Sequence, residues 1–163
     1  VIHPSQYLAA HARMDCFTPQ VLMPYLPGPE YSVDMVVSQG TVLAAIGRRK
    51  EGVLQYLENE GEAIELAINC ARLMNADGMV NVQTRHNAEG KPLLLEINMR
   101  PSGGIGYTRY SGVNLPGLYA FHTLGLMDDD QVRQSAKTDF SPAVVRSVTD
   151  VILYPASLTN RID

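Results

Sequence analysis

Two pairs of alternating, β-prone segments, separated by one segment of helical periodicity, constrain this chain more than any other feature. In the first pair, EYSVDMVVSQGTVLAAIGRR reads as two strands around Ser38-Gln39-Gly40, a hairpin. In the second, MVNVQTRH and PLLLEINMR are joined through Ala88-Glu89-Gly90-Lys91. Between them, over about 61–74, Ala63, Ile64, Ala67, Ile68, Ala71 and Met74 recur at i, i+3, i+4 spacing. Glu58, Glu60, Glu62 and Glu65 gather at its start and Arg72 near its end, which suits the helix dipole. Hairpin-linked strands mixed with helices predict an α+β fold, an antiparallel sheet with helices packed on one face.

The remaining segments fit around that frame. Residues 1–19 carry a short helical pattern, with Tyr7, Leu8, Ala10 and Met14 as its apolar side. Residues 21–26, VLMPYL, read as a short strand whose Pro24 places it at an edge or an ending. Pro27-Gly28-Pro29 signals a turn, and residues 50–60 read as loop. A glycine-containing run occupies 99–112. A helix is predicted over 115–126, with Leu115, Leu118, Tyr119, His122 and Leu126 on one side. Asp128-Asp129-Asp130 reads as a solvated loop or a helix start. An apolar strand at about 143–154 finishes the sheet and a polar tail follows.

Composition excludes several function classes. The 163 residues suit one domain, and a net charge of −4 argues against a broad nucleic-acid or anionic-membrane surface. Neither an 18-residue apolar run nor a signal-peptide h-region is present, so the expected location is cytoplasmic. Cys16 and Cys70 are too few for a disulfide framework and read as reduced thiols. His3, His11, His86 and His122 form no metal-ligand spacing, and the nucleophile-elbow and P-loop motifs are absent.

The second hairpin carries the chemistry. Alternation along PLLLEINMR sets Leu93, Leu95 and Ile97 on one face and Leu94, Glu96, Asn98 and Arg100 on the other, with same-face neighbours about 6.5–7 Å apart. With a four-residue loop at 88–91, Asn87 pairs with Pro92 and Gln83 lies opposite Glu96, with Asn81 and Arg85 on the same face. Gln83, Glu96 and Asn98 then offer three oxygen ligands in one patch beside Arg100. Magnesium prefers hard oxygens with few protein carboxylates, and arginine binds phosphate bidentately. Backbone N–H groups of Ser102-Gly103-Gly104 could approach an anion. The same alternation also fits the solvated face of a half-exposed sheet.

Taken together, PYLPGPEYSVDMVV, GMVNVQTR and LLLEINMRPSGG resemble the C-terminal lobe of an ATP-grasp enzyme, closest to the carbamoyl-phosphate-synthase-like and carboxylate–amine ligase branch. The resemblance covers roughly residues 20–126. It implies that Gln83, Glu96 and Asn98 occupy Mg²⁺ (or Mn²⁺) ligand positions and Arg100 that of the catalytic, phosphate-contacting arginine. It implies that Met23, Tyr25 and Leu26 line the adenine, that Glu30 holds the ribose hydroxyls, and that Arg48, with Arg49 and Lys50, faces phosphate or a substrate carboxylate. Asp34 reads as structural, pairing with an arginine, and Arg109 as facing the acceptor substrate. Pro24 departs from the family, where many relatives have a glutamate, and its nitrogen cannot donate a hydrogen bond.

The reaction so implied is ATP-dependent ligation. A carboxylate substrate forms an acyl-phosphate, which an amine or similar nucleophile then displaces. The family clamps ATP between two lobes, and nothing before residue 20 supplies the other. With Val1 at the start, this predicts a fragment: 1–19 a remnant leading from a missing N-terminal lobe, 20–155 the C-terminal lobe and 156–163 a polar tail. The fragment alone is expected to be inactive, its partners being that lobe, ATP and a small carboxylate or amine, with an oligomer possible. The alternative is a non-catalytic nucleotide-binding or assembly module of the same fold; a metal-dependent phosphate-ester hydrolase using Glu96 has no histidine–aspartate cluster to support it.

Overall fold

The computed structural model describes residues 23–146, with positions 6, 9 and 12 besides. The expected helix in 1–19, the start of the 21–26 strand, most of the 143–154 strand and the tail lie outside the described residues. So do the two terminal segments of the expected domain division.

The first hairpin forms as the pattern predicts. β1 (Glu30–Ser38) turns at Gln39-Gly40 into β2 (Thr41–Glu51). The turn is tied down from outside: the Gln39 amide donates to Asp77 and the Gly40 amide to the Ala76 carbonyl. β3 (Leu54–Glu58) follows across a two-residue turn, where a loop was expected at 50–60. The missed signal is alternation in LQYLE, whose Gln55 and Leu57 are buried while their neighbours are half-buried. α1 (Glu62–Leu73) then crosses the sheet, followed by β4 (Gly78–His86) and β5 (Pro92–Asn98). A 3-10 helix (Ile105–Ser111), α2 (Leu115–Thr123) and α3 (Asp129–Asp139) lead to β6 (Ala143–Arg146). Asp128 caps α3 reciprocally with Gln131, so the acidic triplet is a helix start.

The sheet is antiparallel throughout, in the order β5-β4-β1-β2-β3-β6. β1 lies at its centre and is buried from Ser32 to Val37. Its odd-numbered residues Val33, Met35 and Val37 pack with Val80 and Val82 against Ile64, Ala67 and Ala71 of α1. The small side chains let the helix approach closely: a Cβ at Gly47 would lie 2.8 Å from Cδ1 of Ile64. The opposite face is divided. Val36, Leu43, Ala44 and Ile46 pack under Val113, Leu115, Leu118 and Val132 of the α2–α3 region. Beyond Asp34 that face turns polar. The α+β, antiparallel expectation therefore stands, with one correction: helices cover both faces. The second layer follows from Val36 and Ile46, apolar residues on the face opposite α1, which need a cover of their own.

The segment 23–27 is not strand, contrary to the reading of 21–26. Pro24 and Pro27 have no N–H to give a ladder. The chain docks instead at the end of β4, where Gly28 N–H donates to His86 O and His86 N–H to Pro29 O.

Met35→Ala should lower the unfolding free energy by about 2–5 kcal/mol, because it opens a cavity beneath α1. Leu73→Ala, at a side chain 89% exposed, should change it by less than about 0.5 kcal/mol. Urea titrations of the two variants test this division between core and surface.

Candidate functional site

The polar half of the sheet face is built in rows that cross the strands. Strand pairing aligns Leu93, Arg85, Glu30, Lys50 and Gln55 in the outermost row. The next contains Glu96, Gln83, Ser32 and Arg48, and the innermost Asn98, Asn81 and Asp34. Rows are about 6.5–7 Å apart and partners within a row about 5 Å apart, so these side chains share one surface.

Gln83 does lie opposite Glu96, but not by the expected route. The hairpin closes with His86 opposite Pro92, so its loop has five residues, one more than the expected Asn87–Pro92 pair would leave. Asn87 holds that loop by accepting from the Glu89 and Lys91 amides. A β-bulge between Gln83 and Thr84 then restores the register. The extra residue reverses the alternation before it. Leu93 therefore pairs with Arg85, on the Glu96 face, and Leu94 with Thr84, whereas simple alternation put Leu94 beside Glu96.

Glu96 is exposed and Gln83 and Asn98 are half-buried. The Asn98 carboxamide nitrogen donates to Oε1 of Glu96 at 2.9 Å, which directs the Asn98 amide oxygen away from that carboxylate. One carboxylate and two carboxamide oxygens on adjacent strands are a donor set that fits a hard dication. Arg100 lies just past the end of β5, exposed, with Nη1 donating to the Pro101 carbonyl at 3.0 Å.

At the outer end, Glu30 pairs with Lys50 at 2.5 Å and lies 4.0 Å from Arg85. These three line an open hollow of about 430 Å³ with Pro27, Gly28, Pro29 and Glu51. Met23 and Tyr25 are exposed, and Leu26 is buried. Arg109 is exposed on the 3-10 helix, its guanidinium donating to the Tyr110 hydroxyl, which favours its charged form further.

Arg48 is placed otherwise than a phosphate-facing arginine. It is 3% exposed and donates to Asp34, Ser32, Gln55 and Ser102. Asp34 is fully buried and collects donors from four directions. It accepts from Arg48 at 3.2 and 3.4 Å, the Ser102 amide at 2.9 Å, the Ser102 hydroxyl at 2.7 Å and the Asn81 amide at 3.2 Å. Gly104 lies against the guanidinium so closely that a Cβ there would collide with it. Ser32, Gln55, Asn81 and Ser102 are the members of this network that sequence reading did not single out for it. Alternation two residues from Asp34 could have found Ser32. Nothing local announces Ser102, 68 positions from the carboxylate it bonds.

The opposite face carries separate groups. Burial, and then the charge of Glu58, push the Tyr31 hydroxyl pKa up, and Arg49 stacks over Tyr56. Cys70, on α1, has its thiol pushed up by burial. Among the described residues no three His, Cys, Asp or Glu side chains gather as a metal cluster. No described helix is long and apolar enough to cross a membrane.

A family model described as "ATP-grasp in the biosynthetic pathway with Ter operon" matches residues 16–151. This chain belongs to the ATP-grasp family. No curated protein sequence gives a significant match. Among solved structures, an L-amino acid ligase from Bacillus licheniformis aligns at 20% identity and TM-score 0.46, covering 61% of this chain and 29% of the ligase. An ADP complex of N5-carboxyaminoimidazole ribonucleotide synthetase aligns at 16% identity and TM-score 0.44, covering 60% of this chain and 29% of that one. A D-alanine–D-alanine ligase from Bacillus anthracis, complexed with ATP, aligns at 16% and 0.37, over 71% of this chain and 38% of that one. This ATP-grasp chain thus spans well under half the length of each.

Two outcomes test the electrostatics. Asp34→Ala strands the Arg48 cation in the interior and should cost about 3–5 kcal/mol, read as a large fall in the thermal midpoint. The raised thiol pKa leaves less thiolate at a given pH. Iodoacetamide should therefore modify Cys70 more slowly than free cysteine at pH 8, with its pH–rate profile displaced upward.

Proposed function

We propose that this chain is the nucleotide- and metal-binding lobe of an ATP- and Mg²⁺-dependent ligase that joins a carboxylate to an amine or similar nucleophile. The observation that carries the reading is the patch formed by Gln83, Glu96 and Asn98, adjacent on one face of β4 and β5, with Arg100 two residues beyond Asn98, past the end of β5. Family membership supports the nucleotide. The donor set supports the cation, and a basic side chain beside it supports a phosphoryl group.

Gln83, Glu96 and Asn98 would hold Mg²⁺ (Mn²⁺ in its place). When bound, the cation supplies charge neutralisation at the phosphates. Glu30 sits at the mouth of the Pro27–Arg85 hollow, where its carboxylate can accept from the ribose hydroxyls in exchange for its bond to Lys50. Backbone groups of 23–26, which precede the Pro27–Pro29 wall of that hollow in the chain, are assigned to the adenine. Arg100 orients and stabilises the transferring phosphoryl group. The substrate carboxylate oxygen bonds to the γ-phosphorus as the bond to the ADP oxygen breaks. The amine then adds to the acyl carbon, phosphate departs with the acyl C–O electron pair, and the nitrogen gives up one proton to the departing phosphate. This chemistry needs placement and charge, and no side-chain nucleophile. A second lobe supplies the lysine and the glycine-rich loop over the phosphates, and a cytoplasmic site supplies ATP. Arg48, enclosed by Asp34, Gln55 and Ser102, acts from beneath the surface and makes no phosphate contact in this reading.

Glu96→Ala in the complete protein should abolish Mg²⁺-dependent, carboxylate-dependent ADP release. Because Glu96 is exposed, the circular dichroism spectrum should not change. Turnover at the parent rate would overturn the assignment.

A further inference from the structure

We propose that Asp34 is a positioning residue, holding in place the two chain segments that present the metal-binding side chains. The inference rests on the metal-site reading above and adds the element that keeps the site in shape. Asp34 touches none of the proposed ligands. Its two oxygens reach both segments that carry them. Oδ1 accepts from the Asn81 amide and from the Ser102 amide, and Oδ2 from the Ser102 hydroxyl and Arg48.

Asn81 lies two residues from Gln83 on the same strand face and directly opposite Asn98. Ser102 lies two residues beyond Arg100 and four beyond Asn98. One buried carboxylate therefore fixes β4 behind Gln83 and the chain just after β5 behind Asn98 and Arg100. Arg48 completes the clamp from the other side, bonding the Ser102 hydroxyl at 2.7 Å and lying against Gly104. The segment 99–104 pairs with no strand, and within it Ser102 is buried, so these bonds decide where it sits. Groups that orient metal ligands from behind commonly contribute about 10–100-fold to metal affinity or activity.

Ser102→Ala removes the hydroxyl that both Asp34 and Arg48 use, keeps the backbone bond and leaves no charge unpaired. In the complete protein, Mn²⁺ binding in the presence of a non-hydrolysable ATP analogue can be followed by electron paramagnetic resonance. Ser102→Ala should weaken it by at least about tenfold, and Ser102→Thr should restore it. Amide exchange over 100–104 should quicken in Ser102→Ala while exchange in α1 stays unchanged. Asp34→Asn should show both effects more strongly if it folds; Ser102→Ala decides the matter if it does not. Glu96→Ala, measured alongside, separates the two ideas. If Glu96→Ala leaves Mn²⁺ binding intact, the metal-site reading falls and this inference with it. If Glu96→Ala abolishes binding while Ser102→Ala changes only the thermal midpoint, the site stands and the positioning role of Asp34 is overturned.

Discussion

The rest of the polar face depends on one interaction, the buried pair of Asp34 and Arg48. A carboxylate and a guanidinium taken from water are costly to bury, and their mutual attraction offsets that cost only where the remaining donors and acceptors are also met. Here Ser32, Gln55, Asn81 and Ser102 meet them. To satisfy the pair, the chain must bring together four strands and the segment after β5. An apolar core could tolerate shifts between these elements. A charge-assisted network in the interior tolerates few, because each misplaced donor leaves a buried charge short of a partner.

This network sits where the sheet face changes character. On one side of Asp34 along β1, Val36 continues into the core under α2 and α3. On the other, Ser32 and Glu30 lead into the open polar rows. Burial on the α1 side is continuous along the same strand. The central strand is thus held by packing on one face over most of its length and on the other over only part. The uncovered part is free to present polar groups on a rigid support, which is what a site requiring fixed ligand geometry needs.

Much of this was legible in the residues. The period-2 segments located four strands, and the period-3.6 segment located α1, because burying one face of each element imposes those spacings. Asp34, in the middle of a hydrophobic strand, was legible as a residue needing a cationic partner. β3 was missed because five residues with a charged end and a buried glutamine do not look apolar. Gln55 is buried where its carboxamide oxygen accepts from Arg48, a partner seven positions away that alternation does not announce. Residues 21–26 read as strand from their apolar content, but over the described part Pro24, and Pro27 just beyond, have no N–H to give a ladder.

By itself, the sequence determined the α+β class, the hairpins and the residue types along β4 and β5, since alternation and periodicity are local. It brought Gln83 opposite Glu96 only through two compensating details, a longer loop and a bulge, that alternation does not reveal. Which arginine would be buried and which left exposed was a tertiary decision. Arg48 and Arg100 carry the same group. Arg48 lies between strands beneath the Ser102–Gly104 segment, where an uncompensated cation could not stay, and so it is bound to Asp34. Arg100 lies past the end of its strand, where water already solvates it.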